Sequence, residues 1–212
     1  MSARGAPRAL RLLWPAAFAF FFSFYLLLSA LPLYASERGV RDRGIGLIIG
    51  CFAFASMLVK PWAGWATDRF GRRPLLLAGA AIFAAASIGY AWSATAVALL
   101  AVRLVHGCGM GLFPTAASAV VADIAPPERR GELLGFYGAA ANVAMALGPM
   151  AGIAIAAHAG FTTLFAVSAA AALVALALSS LTGETLGAPA AVPFGVRATL
   201  SRTALLPPSC SA

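Results

Sequence analysis

Acidic side chains are scarce in this chain: seven Asp and Glu occur among 212 residues, and only 10% of all residues are charged. None of the seven lies deep in an apolar stretch; Asp68 and Asp123 stand where such stretches end. Cysteine is scarcer still. Cys51 and Cys108 fall inside apolar runs and Cys210 near the end of the chain, so neither a disulfide framework nor a zinc spacing is present. A Gly-x-x-x-x-Gly-Lys phosphate loop, a His-Glu-x-x-His zinc motif and a Gly-x-Ser-Gly nucleophile setting with a distant His are all missing. These absences argue against an enzyme and leave no residues that call for a metal or a cofactor. Apolar and polar residues do not alternate along the runs as barrel strands require, so a transmembrane β-barrel is excluded as well.

What is abundant is apolar surface. Hydrophobic residues make up 61% of the sequence, and the mean hydropathy is +0.89. A bilayer core of about 30 Å takes about 20 apolar residues per helix. Six runs meet that length: Leu12–Tyr34, Gly44–Thr67, Pro74–Trp92, Ala96–Val121, Leu133–Ala157 and Phe161–Leu181. The first follows a basic start and precedes the small residue Ala35, as a signal peptide would. It is longer than the roughly 7–15 residues of a signal-peptide core, so it reads as an uncleaved first helix. The expected fold is an all-α integral membrane bundle of six helices with short connections.

The formal net charge is +8, but the basic residues follow topology and gather on no single face, which excludes a nucleic-acid surface. With the N-terminus placed in the cytoplasm, ten Lys and Arg fall on that side and three on the other, Arg38, Arg41 and Arg43. The bias predicts a multi-pass protein of the cell membrane with both termini cytoplasmic. Lys60 and Arg103 lie within runs. Lys60, next to Pro61, is expected to snorkel its ammonium toward the cytoplasmic surface.

Between the second and third runs stands Gly64-Trp-Ala-Thr-Asp68-Arg69-Phe-Gly71-Arg72-Arg73. Gly64 and Asp68 are four residues apart and share a helix face. An acid at a helix C-terminus and cations at a helix N-terminus both oppose the helix dipole, so helix stability alone does not select this arrangement. The segment resembles the signature loop of major facilitator superfamily (MFS) transporters, Gly-x-x-x-Asp-Arg-x-Gly-Arg-Arg/Lys. In the fourth run, Arg103-Leu-Val-His106-Gly107-Cys-Gly109 resembles that family's Arg-x-x-Gln-Gly-x-Gly motif, with His106 in place of Gln. In the fifth, Gly148-Pro149-Met-Ala-Gly152 resembles the Gly-Pro-x-x-Gly core of a motif linked with antiporters, and departs from it at Ala144 and Ile153.

The resemblance implies a half-fold of two inverted three-helix repeats, residues 12–182 forming the N-terminal domain behind a cytoplasmic segment 1–11. It implies a secondary carrier of a small solute working by alternating access, with proton-coupled efflux as the expected mode. Gly64, Asp68, Arg69, Gly71, Arg72, Arg73, Asp123, Arg129 and Arg130 are then expected to form a conformational latch, Asp123 pairing with Arg72 or Arg73 and Asp68 with Arg129 or Arg130. Arg103 sits about 10 Å along its helix from Ala96. A charge at such depth costs roughly 2.5–3.5 kcal/mol on insertion scales, which calls for a cavity or a partner. Arg103 and His106, on one helix face, are expected to serve coupling or substrate binding. The glycine pairs Gly46/Gly50, Gly107/Gly111 and Gly148/Gly152 predict close helix approach, and Pro149 a kink. Ser23, Tyr25, Ser29 and Asn142 are candidates for a cavity lining, while His158 reads as a loop residue.

Residues 183–212, rich in Ala, Pro, Gly and Ser, read as a cytoplasmic linker or tail with little order. Ser201–Pro207 resembles the entry to a seventh helix, so the chain is expected to match the N-terminal half of a twelve-helix transporter. The expected partners are the lipid bilayer, a small-molecule substrate and protons, and either a C-terminal half or a second copy. A non-transporting fragment or a six-helix structural subunit is the alternative.

Overall fold

Long apolar segments in lipid must satisfy their backbone polar groups internally, and they do so here as helices. The computed structural model describes residues 5–185, with side chains from residue 9 onward. Arg4, Arg197, Arg202, Cys210 and the Ser201–Pro207 stretch lie outside these residues, and of Arg8 only the backbone is described. The described chain forms α1 (Gly5–Glu37), α2 (Asp42–Phe70), α3 (Arg72–Gly89), α4 (Ala96–Ile124) and α5 (Arg130–Ser180), with no strand among them. All five helices are long and apolar enough to cross a membrane. Their ends are marked by local chemistry. The Thr95 hydroxyl accepts from the Ala98 N–H at 3.2 Å and caps α4. Gly71, at φ 108, separates α2 from α3 with a backbone geometry that side chains resist.

The fifth and sixth apolar runs are joined in α5, whose 51 residues would extend about 77 Å if straight. It is not straight. Gly160, at φ 80 and ψ 167, breaks the helical backbone. Before that point α5 follows α1 in the same sense: Trp14 Nε1 donates to the Phe136 carbonyl at 3.1 Å, and Ser29 Oγ donates to the Pro149 carbonyl at 3.1 Å. Beyond it α5 meets α1 in the opposite sense, with Phe161 against Tyr34, Ser168 against Ser23, and Ala172 and Ala175 in the same apolar cluster as Leu13 and Ala16. The chain direction relative to α1 therefore reverses at Gly160.

Small residues set the helix spacing. A Cβ on Gly107 would lie 2.5 Å from the Phe52 carbonyl oxygen, and one on Gly111 2.8 Å from Val59 Cγ1, so α4 lies directly on the α2 backbone. Gly148 and Gly152 meet Tyr25 and Leu26 of α1 just as closely. The Gly46/Gly50 pair differs: a Cβ at either position meets nothing, and both residues are exposed. With Ala53, Met57, Gly64 and Asp68 they follow the helical period along one uncovered face of α2.

Two apolar clusters fill the interior, one around Phe20, Phe83 and Phe113, the other around Leu27, Tyr34 and Phe165. Between them Ser23, Ser87 and Ser168 are fully buried and bonded to one another, at 2.9 Å (Ser23–Ser168) and 3.1 Å (Ser87–Ser168). Ser23 thus ties α1 to α5 inside the bundle. Ser29 is likewise engaged with the Pro149 carbonyl. Hydroxyl bonds of this kind between membrane helices contribute on average about 0.6 kcal/mol each.

Candidate functional site

Two groups of polar residues lie at different depths. The first surrounds Gly71, where the α2–α3 break meets the end of α4. Arg72, nearly buried, directs its guanidinium to three acceptors. Nε donates to Asp123 Oδ2 at 2.9 Å, and Nη1 donates to the Thr67 carbonyl at 2.9 Å and pairs with Asp68 Oδ1 at 3.0 Å. The predicted Asp123–Arg72 contact is present. The predicted pairing of Asp68 with Arg129 or Arg130 is not. Asp68 lies one helical turn before Arg72 and shares it with Asp123, whereas Arg129 binds Glu132, three residues on, at 2.6 Å. Local spacing satisfied Arg129 before a more distant acid was needed. Arg69 and Arg130 are exposed, and Arg73 donates through Nη2 to the Ser180 carbonyl at 2.8 Å.

Glu184 completes this group, and it falls in the segment read from sequence as a linker. Its two carboxylate oxygens accept the backbone N–H groups of Arg72 and Arg73 at 2.9 and 3.0 Å, capping the N-terminus of α3. Glycine is favoured at position 71 by φ 108, and a Cβ there would stand 2.5 Å from Glu184 Oε2 and push the capping carboxylate aside. Thr185 donates to Asp123 Oδ2 at 3.1 Å. The dipole conflict noted for the loop is thereby answered: a carboxylate sits on the positive end of α3, and Asp68 is neutralised by Arg72. One signal for Glu184 was available, since it is the single acid of the Ala/Pro/Gly-rich segment.

The second group lies within the bundle. Arg103 and His106 of α4 are both fully buried. The Arg103 guanidinium carbon stands 4.4 Å from the centre of the Phe52 ring, and Nε and Nη1 have no hydrogen-bond partner. The ion pairs among the described residues belong to Arg72 and Arg129, and no acid reaches Arg103. His106 Nδ1 shares a hydrogen bond with the Tyr90 hydroxyl at 3.0 Å, and Nε2 is unpaired. Its ring packs edge-on to Phe52 with centroids 5.5 Å apart, and lies 3.8 Å from Phe83. Arg103 and His106 therefore flank one ring, Phe52. Tyr90, Phe52 and Phe83 were not among the expected site residues, because an aromatic side chain in an apolar run carries no mark of what it will touch.

The remaining candidates have structural settings. Gly107, Gly111, Gly148 and Gly152 mark close helix contacts, and Pro149 lies within the arm of α5 that lines α1. Gly64 and Asn142 face open space or solvent-accessible surface, and Lys60 is exposed on α2. His158, expected in a loop, lies within α5 instead, exposed two residues before the Gly160 break, because the chain stays helical up to that glycine.

The Major Facilitator Superfamily sequence profile matches residues 13–203. An uncharacterized MFS-type transporter of Mycobacterium tuberculosis is 30% identical over 174 residues, covering 79% of this chain and 30% of the relative. The quinolone resistance protein NorA of Staphylococcus aureus is 25% identical over 132 residues, covering 62% of this chain and 34% of that protein. The human organic anion transporter MFSD10 superposes with a TM-score of 0.70 at 25% identity, over 91% of this chain and 52% of the other. The proton:xylose symporter XylE gives a TM-score of 0.75 at 17% identity, over 87% and 46%, which is a likeness of fold. The chain thus spans about a third of these curated relatives and about half of these solved structures. Members of the matching family are multi-pass membrane transporters and not enzymes, and with residues 13–203 matched, this chain belongs to the Major Facilitator Superfamily.

Proposed function

We propose that the chain supplies one half of a proton-coupled efflux carrier that works by alternating access in the cell membrane, with both termini in the cytoplasm. In this reading α5 crosses the membrane twice, its reversal at Gly160 giving six spans arranged as two three-helix repeats. The Arg72 group is the latch of the half. It joins α2, α3, α4 and the chain after α5 through Asp68, Asp123 and Glu184. The uncovered face of α2, from Gly46 through Gly64 to Asp68, is where a second half packs, supplied by a C-terminal half or a second copy.

The observation that carries the reading is the Arg72 guanidinium shared between Asp68 and Asp123, with the Asp68 side chain still 51% exposed. Arg72 is anchored by Asp123 and the Thr67 carbonyl as well, whereas the half-exposed Asp68 has water within reach, so it is the member of the group free to trade partners as the halves rock. NorA's name points to quinolones, whereas MFSD10 is named for organic anions; family membership does not choose between such solutes.

The test is proton flux in everted membrane vesicles carrying the chain together with a second half, read with a pH-sensitive dye. Norfloxacin and benzoate serve as trial solutes. Solute-dependent dissipation of the gradient, lowered several-fold by Asp68→Asn with insertion intact, is the expected result. A flux unaltered by Asp68→Asn removes the latch, and no flux with either solute removes proton-coupled carriage of these solute classes.

A further inference from the structure

We infer that the buried Arg103–His106 pair is an anion site, and that it takes the carboxylate of an organic solute. The inference rests on the transporter reading and names the substrate class for it. Three observations carry it. Arg103 is fully buried, yet Nε and Nη1 lack acceptors and no acid reaches it. All seven acids of the sequence stand at helix ends or beyond them: Glu37, Asp42, Asp68, Asp123, Glu128, Glu132 and Glu184. Along α4 the next acid is Asp123, about 30 Å away at about 1.5 Å per residue. The protein itself therefore leaves this cation uncompensated, where other buried cations are paired.

His106 supplies the matching donor. When the Tyr90 hydroxyl donates to Nδ1, the proton of the neutral ring resides on Nε2, and Nε2 has no partner. Arg103 and His106 are three residues apart on one face of α4, and both lie against Phe52. A carboxylate accepts from several donors at once, and charge-assisted bonds to it are about twice as strong as neutral ones. Phe52 is the cover. Its ring meets the guanidinium face and stacks on Phe24 of α1 at 4.9 Å, while its carbonyl lies against Gly107. A solute that reaches Arg103 displaces this ring and exchanges a cation–π contact for a charge-assisted pair. A cationic solute meets the opposite situation, a buried positive charge with no acid to offset it.

Isothermal titration of the purified full chain with sodium benzoate, benzamide and tetraphenylphosphonium tests this directly. Benzoate and benzamide share a ring and differ in charge. Saturable benzoate binding is expected, with benzamide at least about tenfold weaker, a difference of about 1.4 kcal/mol. Arg103→Gln is expected to weaken benzoate by a similar factor. His106→Gln, which keeps a side-chain N–H donor, is expected to stay within about threefold of wild type, and His106→Leu to fall below it. Equal binding of benzoate and benzamide, or tetraphenylphosphonium binding as tightly as benzoate, overturns the inference. Chloride binding as tightly as benzoate overturns the assignment to an organic solute. The wild-type comparison stands even where Arg103→Gln does not fold. Solute-driven proton flux in vesicles without benzoate binding overturns this site and leaves the transporter reading in place. Benzoate binding without flux supports the site and counts against the transport reading.

Discussion

Arg72 and Arg103 are the same residue in opposite circumstances. Arg72 sits at a helix junction, close to water, and is held by two carboxylates and a backbone carbonyl. Arg103 is fully buried, lies under a phenyl ring and has two unpaired nitrogens. A stability argument alone would have paired the deeper charge first, since burial is where an unpaired ion costs most. The protein spends its few acids at the helix ends instead. The pairs of Arg72 join helices, whereas the charge of Arg103 lies inside the bundle with no acid against it.

The contrast can be broken by removing each arginine in turn and following thermal unfolding of the detergent-purified chain. Arg72→Met leaves Asp68 and Asp123 facing each other without their shared cation. It is expected to cost about 2–4 kcal/mol, because breaking a partly buried pair exposes the remaining charges to their desolvation penalty. Glu184→Gln removes the negative charge from the N-terminus of α3 while keeping one acceptor, and is expected to lower stability by about 0.5–1 kcal/mol. Arg103→Met has no acid to orphan, and its effect is expected between zero and a gain of about 1 kcal/mol, against a loss of benzoate binding. A large loss of stability in Arg103→Met would make its role structural and erase the distinction from Arg72. The smallest effect belongs to Arg129→Ala. Its pair with Glu132 is exposed on both sides, and no change in the unfolding midpoint is expected.

How much of the site was legible depended on how local its cause was. The Gly71 break and the arginines after it were plain, because a glycine between apolar runs and a cluster of charges need only neighbouring residues to be recognised. Arg103 was equally plain from its depth in an apolar run. The Asp123–Arg72 pair was among the expected contacts. Asp68 was assigned to the wrong arginines, since the helix break brings Arg72 back within 3.0 Å of it while Arg129 turns to Glu132. Glu184 was hidden in a segment of linker composition, and its role as a cap depends on α5 delivering it to α3, 112 residues earlier in sequence. The three glycine pairs looked alike in sequence. Two mark helix contacts and Gly46/Gly50 faces open space, because spacing fixes which residues share a helix face and says nothing about what lies opposite it.

The sequence by itself determined that this protein spans a membrane in long helices, where α2, α3 and α4 begin and end to within about three residues, and which family it belongs to, because hydropathy and short motifs are properties of contiguous residues; α1 starts seven residues before the run read for it, and the last two runs share α5. Tertiary structure decided the rest. It reversed the chain at Gly160, brought Glu184 to the end of α3, and put Phe52, Phe83 and Tyr90 around Arg103 and His106 while leaving every acid out of reach. The reason is physical. A charge is costly or cheap according to what surrounds it in space, and those surroundings come from helices brought together through the close approaches at Gly107, Gly111, Gly148 and Gly152.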